Sequence, residues 1–278
     1  MSQTSAGLSP IPLDRRIPFG ALWALTTISI TRQLRTKRIF VMAALFCLPV
    51  MLAGITRYYD NGFNPSQSEF ILIYTLIPQA LIPLAALLYA SGMIQDEIED
   101  QTLTYLMIRP LPRWGIYLAK LVATLFVTTL LTTVFTLLTF LAINAGTSDY
   151  WTEQTLHRAM MTSGLFSMSL LAYVAIFGAM SLVFKRTLVI GVAYIILFEG
   201  VLANIDFMVR KATVMYYFRV LTVRWLDVRR PEWSIILSEA PSATECLFTI
   251  AIATVVITSI AATYFSMREF RVKTPEGS

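Results

Sequence analysis

The sequence predicts an all-α, polytopic membrane protein. Six transmembrane helices follow an N-terminal interfacial helix, and a short cytoplasmic helix lies between the second and third spans. Three observations carry this. Hydrophobic residues make up 56% of the 278 positions and charged residues only 14%, with a mean hydropathy of +0.65. That is too little charge to cover a water-soluble domain of this size without leaving large apolar patches exposed. The apolar residues are gathered in six runs. At about 20 residues per span, six spans consume most of the chain and leave no room for a sizeable soluble domain.

Residues 1–16 are rich in Ser, Pro and Thr and read as a disordered cytoplasmic tail. They are too polar for a cleaved signal peptide, and no apolar stretch follows directly. Residues 17–38 read as an amphipathic interfacial helix. Phe19, Leu22, Trp23, Ile30 and Leu34 fall at helical spacing behind Pro18, and Arg32, Arg35, Lys37 and Arg38 close the stretch.

The transmembrane domain then covers 39–267. Its first span, 39–55, is short, so Arg38 and Arg57 are expected to snorkel to opposite interfaces. A polar loop with Asn61-Gly62 and Asn64-Pro65 turn signals leads to the second span, 70–93, where Pro78 and Pro83 each remove a backbone donor and should kink the helix. The third span, 116–145, ends at Asn144-Ala145-Gly146, and the fourth is 160–184. Lys185-Arg186 turns the chain into the fifth span, 187–203. The segment 204–244, with Tyr216, Tyr217, Phe218, Trp225 and Trp233, is expected to lie along the outer interface as amphipathic helices. The sixth span, 245–266, leads to a charged cytoplasmic tail, 268–278.

Fourteen Lys and Arg residues fall on the side of the N-terminal segment, the 2–3 connection, the 4–5 turn and the C-terminal tail. The short connections on the other side hold only Arg57 and Arg158. Short loops decide orientation, so both termini are expected in the cytoplasm. The long 204–244 segment adds six cations to the outer side, but longer loops are weaker determinants.

The connection between the second and third spans, 94–115, is the most distinctive element. It opens with the acidic cluster Asp96, Glu97, Glu99 and Asp100 and continues through Thr102. Leu103, Leu106 and Met107 then share one helical face, and Pro110 and Pro112 stop the helix ahead of Arg113. An acidic approach, a two-turn amphipathic helix and a proline stop make a compact cytoplasmic knob. Such a knob can seat in a groove of a soluble partner, with apolar anchors for affinity and charges for register.

The run Glu97, Glu99, Thr102, Leu106, Pro110, Arg113 and Lys120 resembles the motif between the second and third spans of permease subunits in type-2 ATP-binding-cassette transporters. The layout, with a helix before the first span and an outer segment between the fifth and sixth, is similar to that family over nearly the whole chain. So is the stretch Tyr194 to Asn204. One departure is Gln101, where the family usually has glycine before the threonine.

The resemblance implies that 94–115 is a coupling helix docking onto a cytoplasmic ATP-binding-cassette ATPase through Glu97, Glu99, Thr102, Leu103, Leu106, Met107, Pro110 and Arg113. It implies a second permease subunit, most simply a homodimer, in the inner membrane of a bacterium. The working cycle it implies is alternating access, with export as the direction. No G-x-x-x-x-G-K-[ST] phosphate loop occurs in the sequence, so this chain is not expected to be an enzyme or to hold a cofactor. ATP and Mg are expected on the partner subunit, the surrounding partner is the lipid bilayer, and no nucleic acid is expected. A non-transporting scaffold that passes force from the ATPase to an outer partner through 204–244 is the alternative. An intramembrane enzyme would need a converged nucleophile, acid/base or metal set, and the sequence offers none.

Other polar residues are weighed individually. Glu199 is a carboxylate inside an apolar run, where a charge costs at least about 2.5 kcal/mol, so it is read as a possible polar lining of the translocation path or as a hydrogen-bonded packing residue. The threonines of the third span, Thr124 to Thr139, read as packing residues. His157 has no ligand array around it, Met160, Met161 and Met168 read as apolar filler, and Cys47 and Cys246 are too far apart in sequence to suggest a metal site.

Overall fold

The computed structural model describes residues 19–59, 64–99, 111–145, 152–205, 208–233 and 235–268, with the side chains of 98, 99, 208 and 232 left aside. These residues are almost entirely helical, with no strand among them, and six helices are long and apolar enough to cross a membrane. The spans are Arg38–Tyr59, Pro65–Glu97, Arg113–Asn144, Glu153–Val183, Thr187–Asn204 and Ala243–Met267.

Most spans run longer than the apolar windows. The fourth is the clearest case: Thr152 caps it by accepting from the Thr155 amide, so the helix starts at Glu153 and adds two polar turns before the apolar run. Hydropathy marks the hydrocarbon-length portion of a helix, and caps mark where it starts.

The second span does not simply kink at its prolines. It is α-helical over Pro65–Ser68, a wider π-helix over Glu69–Leu81 and α-helical again over Ile82–Glu99. The Ile82 amide donates to the Ile77 carbonyl five residues back, and the Thr75 hydroxyl donates to the Phe70 carbonyl at 3.1 Å. Pro78 lies inside the π stretch and Pro83 in the first turn of the α-helix that follows. A change of pitch thus absorbs the missing donors. The fifth span also carries π turns, over Ile195–Val201, with no proline in it.

The second and fourth spans form the centre of the bundle, each far more buried than the first, fifth and sixth. On the sixth span Phe248, Ile252, Val255 and Ile260 are exposed along one face, which suits a helix whose outer face meets hydrocarbon. Thr124, Thr128, Thr132, Thr136 and Thr139 make a buried stripe on the third span. Thr128 and Thr136 return their hydroxyls to the carbonyls of Thr124 and Thr132, four residues back. The stripe serves packing.

The N-terminal helix Phe19–Arg35 packs lengthwise on the first turns of the third span, with Leu22 against Gly115 and Gln33 Nε2 donating to Thr124 Oγ1 at 2.9 Å. It leaves Phe19, Trp23 and Ile28 exposed. It marks one end of the bundle, here the proximal end, together with the connection between the second and third spans. The segment joining the fifth and sixth spans lies at the distal end.

Candidate functional site

At the proximal end the second span finishes with Gln95, Asp96 and Glu97, the root of the predicted coupling element. Consecutive residues on a helix point about 100° apart, so three in a row can reach in three directions, and these do. The Gln95 amide donates to the Phe184 carbonyl at 2.7 Å and to Thr187 Oγ1 at 2.9 Å, gripping the turn between the fourth and fifth spans. Asp96 Oδ1 accepts from Arg38 at 2.6 Å, at the start of the first span. Gly92 makes room for that guanidinium, which a Cβ there would overlap. Glu97 Oε1 pairs with Lys120 of the third span and lies 3.5 Å from Arg32 of the N-terminal helix. The Lys120 ammonium is buried and also donates to the Met93 carbonyl at 3.0 Å.

The other root of the element returns at Leu111 and Pro112, with Pro112 as the N-cap of the third span. Arg113 Nη1 donates to the carbonyls of Ser266 and Arg268, at 3.3 and 3.5 Å, at the end of the sixth span. Arg268 in turn donates to the Leu182 carbonyl near the end of the fourth. The two roots together therefore bond to all the other spans and to the N-terminal helix.

Across the bundle, the π segments of the second and fifth spans approach each other and flank an apolar groove of about 540 Å³. Ile71, Thr75, Gln79, Val192, Ile196 and Gly200 line it. Its volume falls in the range of about 300–1,000 Å³ typical of small-molecule sites.

A family model described as "ABC-2 family transporter protein" matches residues 33–202, from the last turn of the N-terminal helix to the end of the fifth span. The chain belongs to the ABC-2 family of transporter proteins. No curated protein matches it. As an ABC-2 family member the chain is a multi-pass membrane permease subunit of an ABC transporter, a transport component with an ATP-binding-cassette partner.

Within this ABC-2 permease the predicted coupling residues fall into two groups. Glu97 and Arg113 lie at the roots, Glu97 turned into the protein toward Lys120 and Arg113 turned to the sixth span. Glu99 ends the helix, while its side chain and Thr102, Leu103, Leu106, Met107 and Pro110 lie outside the described residues.

Glu199 sits in the π stretch of the fifth span, wholly buried. It is not among the residues that line the groove beside its neighbour Gly200. Its carboxylate accepts from the backbone amides of Val214 and Met215, at 3.3 and 3.2 Å, in the first turn of the helix Val214–Leu226. A carboxylate at a helix N-terminus meets unsatisfied amides and the positive end of the dipole. Arg219, buried on the same helix, donates to the Ala203 carbonyl at 3.0 Å and to Asn204 Oδ1 at 2.7 Å. Glu199 lies five residues before the end of its span, so Val214–Leu226 begins roughly 7 Å inside that end. Val214, Met215, Phe218, Val220 and Leu221 are buried, and the helix packs on the fourth and sixth spans. Its sequence is apolar on most sides, a signal of burial that the aromatic residues obscured.

Sequence reasoning missed Glu69 altogether, because the second span was expected to start at Phe70. Glu69 is buried at the distal end, where it accepts from Arg158 of the fourth span at 2.8 Å and Asn144 of the third at 3.2 Å. Gln95 was missed as well, since no local pattern reveals partners ninety residues away.

Proposed function

We propose that this permease exports its substrate by alternating access. In this reading the element 94–115 seats on a separate cytoplasmic ATPase and passes that motor's movement into the bundle. The observation that carries the proposal is the division of labour at Gln95, Asp96 and Glu97. Three adjacent side chains grip the 4–5 turn, the first span, and the third span with the N-terminal helix. A push on 98–110 must then displace several spans together, which is what a rigid-body reorientation needs. ATP and Mg act on the partner, both termini lie in the cytoplasm, and the membrane is the bacterial inner membrane. A second copy of the chain completes the pathway at the face that carries the groove between the second and fifth spans.

The test uses the permease reconstituted with its ATPase in vesicles. Replacing Glu97 and Glu99 with Ala, or Leu106 with Asp, is expected to detach the ATPase or uncouple its hydrolysis from transport, with membrane insertion intact. Variants that retain and stimulate the ATPase normally would overturn the coupling assignment.

A further inference from the structure

Two glycines of the fifth span, Gly191 and Gly200, stand in different surroundings. Gly200 lines the groove between the second and fifth spans, and a Cβ there would find no side chain within 4 Å among the described residues. Gly191 is buried, and a Cβ there would overlap the side chain of Leu87 on the second span. Leu87 is itself only 1% exposed. The second span fills one glycine and leaves the other open.

Their order along the spans gives this contrast a direction. The second span runs from the distal to the proximal end, and the fifth runs back. The groove lining begins distally with Ile71 and Gly200 and reaches its last proximal residues at Leu84 and Val192. The Leu87–Gly191 contact follows directly, and beyond it Gln95 donates to Thr187 Oγ1 at 2.9 Å. Exposure falls at the same step: Val192 is 40% exposed, and Gly191 beside it is buried. A glycine lets a neighbouring helix approach closely, and a close-packed apolar contact leaves no room for water. We propose that Leu87, seated on Gly191, closes the groove at its proximal end and leaves it open only distally in this conformation. The two are then positioning residues for transport, because this seat has to part before the proximal side gains access. The inference rests on the alternating-access reading, in which a second copy covers the side of the groove.

Side-specific labelling of the full chain in vesicles tests this. Gln79 lies within the groove. The parent for the test carries Gln79→Cys, with Cys47 and Cys246 replaced by Ser, and meets a membrane-impermeant maleimide on one face at a time. Reaction is expected to be several-fold faster from the distal face. Leu87→Ala empties the seat and is expected to raise the proximal rate several-fold, with the distal rate unchanged. Adding Gly191→Val to Leu87→Ala restores the count of side-chain carbons from the opposite span and is expected to bring the proximal rate back down. A contact that only stabilises the fold would not change one face alone. A parent that reacts equally from both faces, or faster from the proximal one, would overturn the proposal and leave the covered groove standing. That comparison holds even if the Leu87 variants fail to assemble. A proximal rate that Leu87→Ala leaves unchanged, or that the double variant leaves raised, in a folded chain would overturn it as well. Reaction from neither face would overturn the covered groove too, because it would set residue 79 against hydrocarbon.

Discussion

Lys120 and Glu97 join the third span to the second through a buried ion pair, and the same ammonium holds the Met93 carbonyl. Removing one member of a buried pair strands the other charge at about 3–5 kcal/mol, whereas replacing both with apolar groups is often neutral. Glu97→Ala is therefore expected to lower the thermal unfolding midpoint in detergent, and Glu97→Leu with Lys120→Met to restore it. If the pair transmits the motor's movement, the restored double variant stays uncoupled in vesicles. A stable double variant that also couples normally would reduce the pair to a packing device.

Glu199 presents a different balance, because its partners are two amides at a helix start and a nearby guanidinium. Glu199→Ala leaves the Val214 and Met215 amides buried without their acceptor, at about 1–3 kcal/mol for each group. The helix Val214–Leu226 should loosen at its first turn. A cysteine at Met215, buried in the parent, is expected to react with a membrane-permeant maleimide several-fold faster in the Glu199→Ala background. Ile196→Ala, which changes the groove one helical turn earlier, should leave that rate unchanged.

These two sites show what the sequence could disclose. Six spans were legible because hydrocarbon demands long apolar runs. Glu199 was visible as a carboxylate out of place. Its role was not, because the amides it caps lie fifteen and sixteen residues on, beyond the reach of any local pattern. Glu69 was hidden by hydropathy itself: the apolar window opens at Phe70, but Asn64 caps a helix starting at Pro65, which carries Glu69 inside. The π turns had no readable cause beyond Pro78 in the second span, and those of the fifth contain no proline at all.

Glu69 now supports a prediction of its own. It ties the second span to Arg158 and Asn144 at the distal end, opposite the coupling roots. Arg158→Met removes the cation and leaves a buried carboxylate held by Asn144 alone; because Arg158 is itself 38% exposed, solvent screens the pair, and a loss of about 1–2 kcal/mol is expected. Glu69→Gln keeps an acceptor for Asn144 and should cost much less. Thermal unfolding of the two variants in detergent separates these outcomes; equal losses would mean that the arginine contributes little.

The proposed second copy at the groove between the second and fifth spans can be tested in native membranes. Exposed apolar side chains do not locate a subunit interface by themselves, since lipid tails are as apolar as leucine and helix association in a bilayer depends on packing. Ile196, at 62% exposed, and Phe248 of the sixth span, at 68%, are therefore equivalent on exposure alone. They differ in shape. Ile196 borders a concave groove beside Gly200, whereas Phe248 belongs to a stripe along one helix. With Cys47 and Cys246 replaced by Ser, Ile196→Cys and Ile71→Cys are expected to give disulfide-linked dimers under mild oxidation, and Phe248→Cys is expected to remain monomeric. The reverse pattern would move the partner to the sixth span and leave the groove facing lipid.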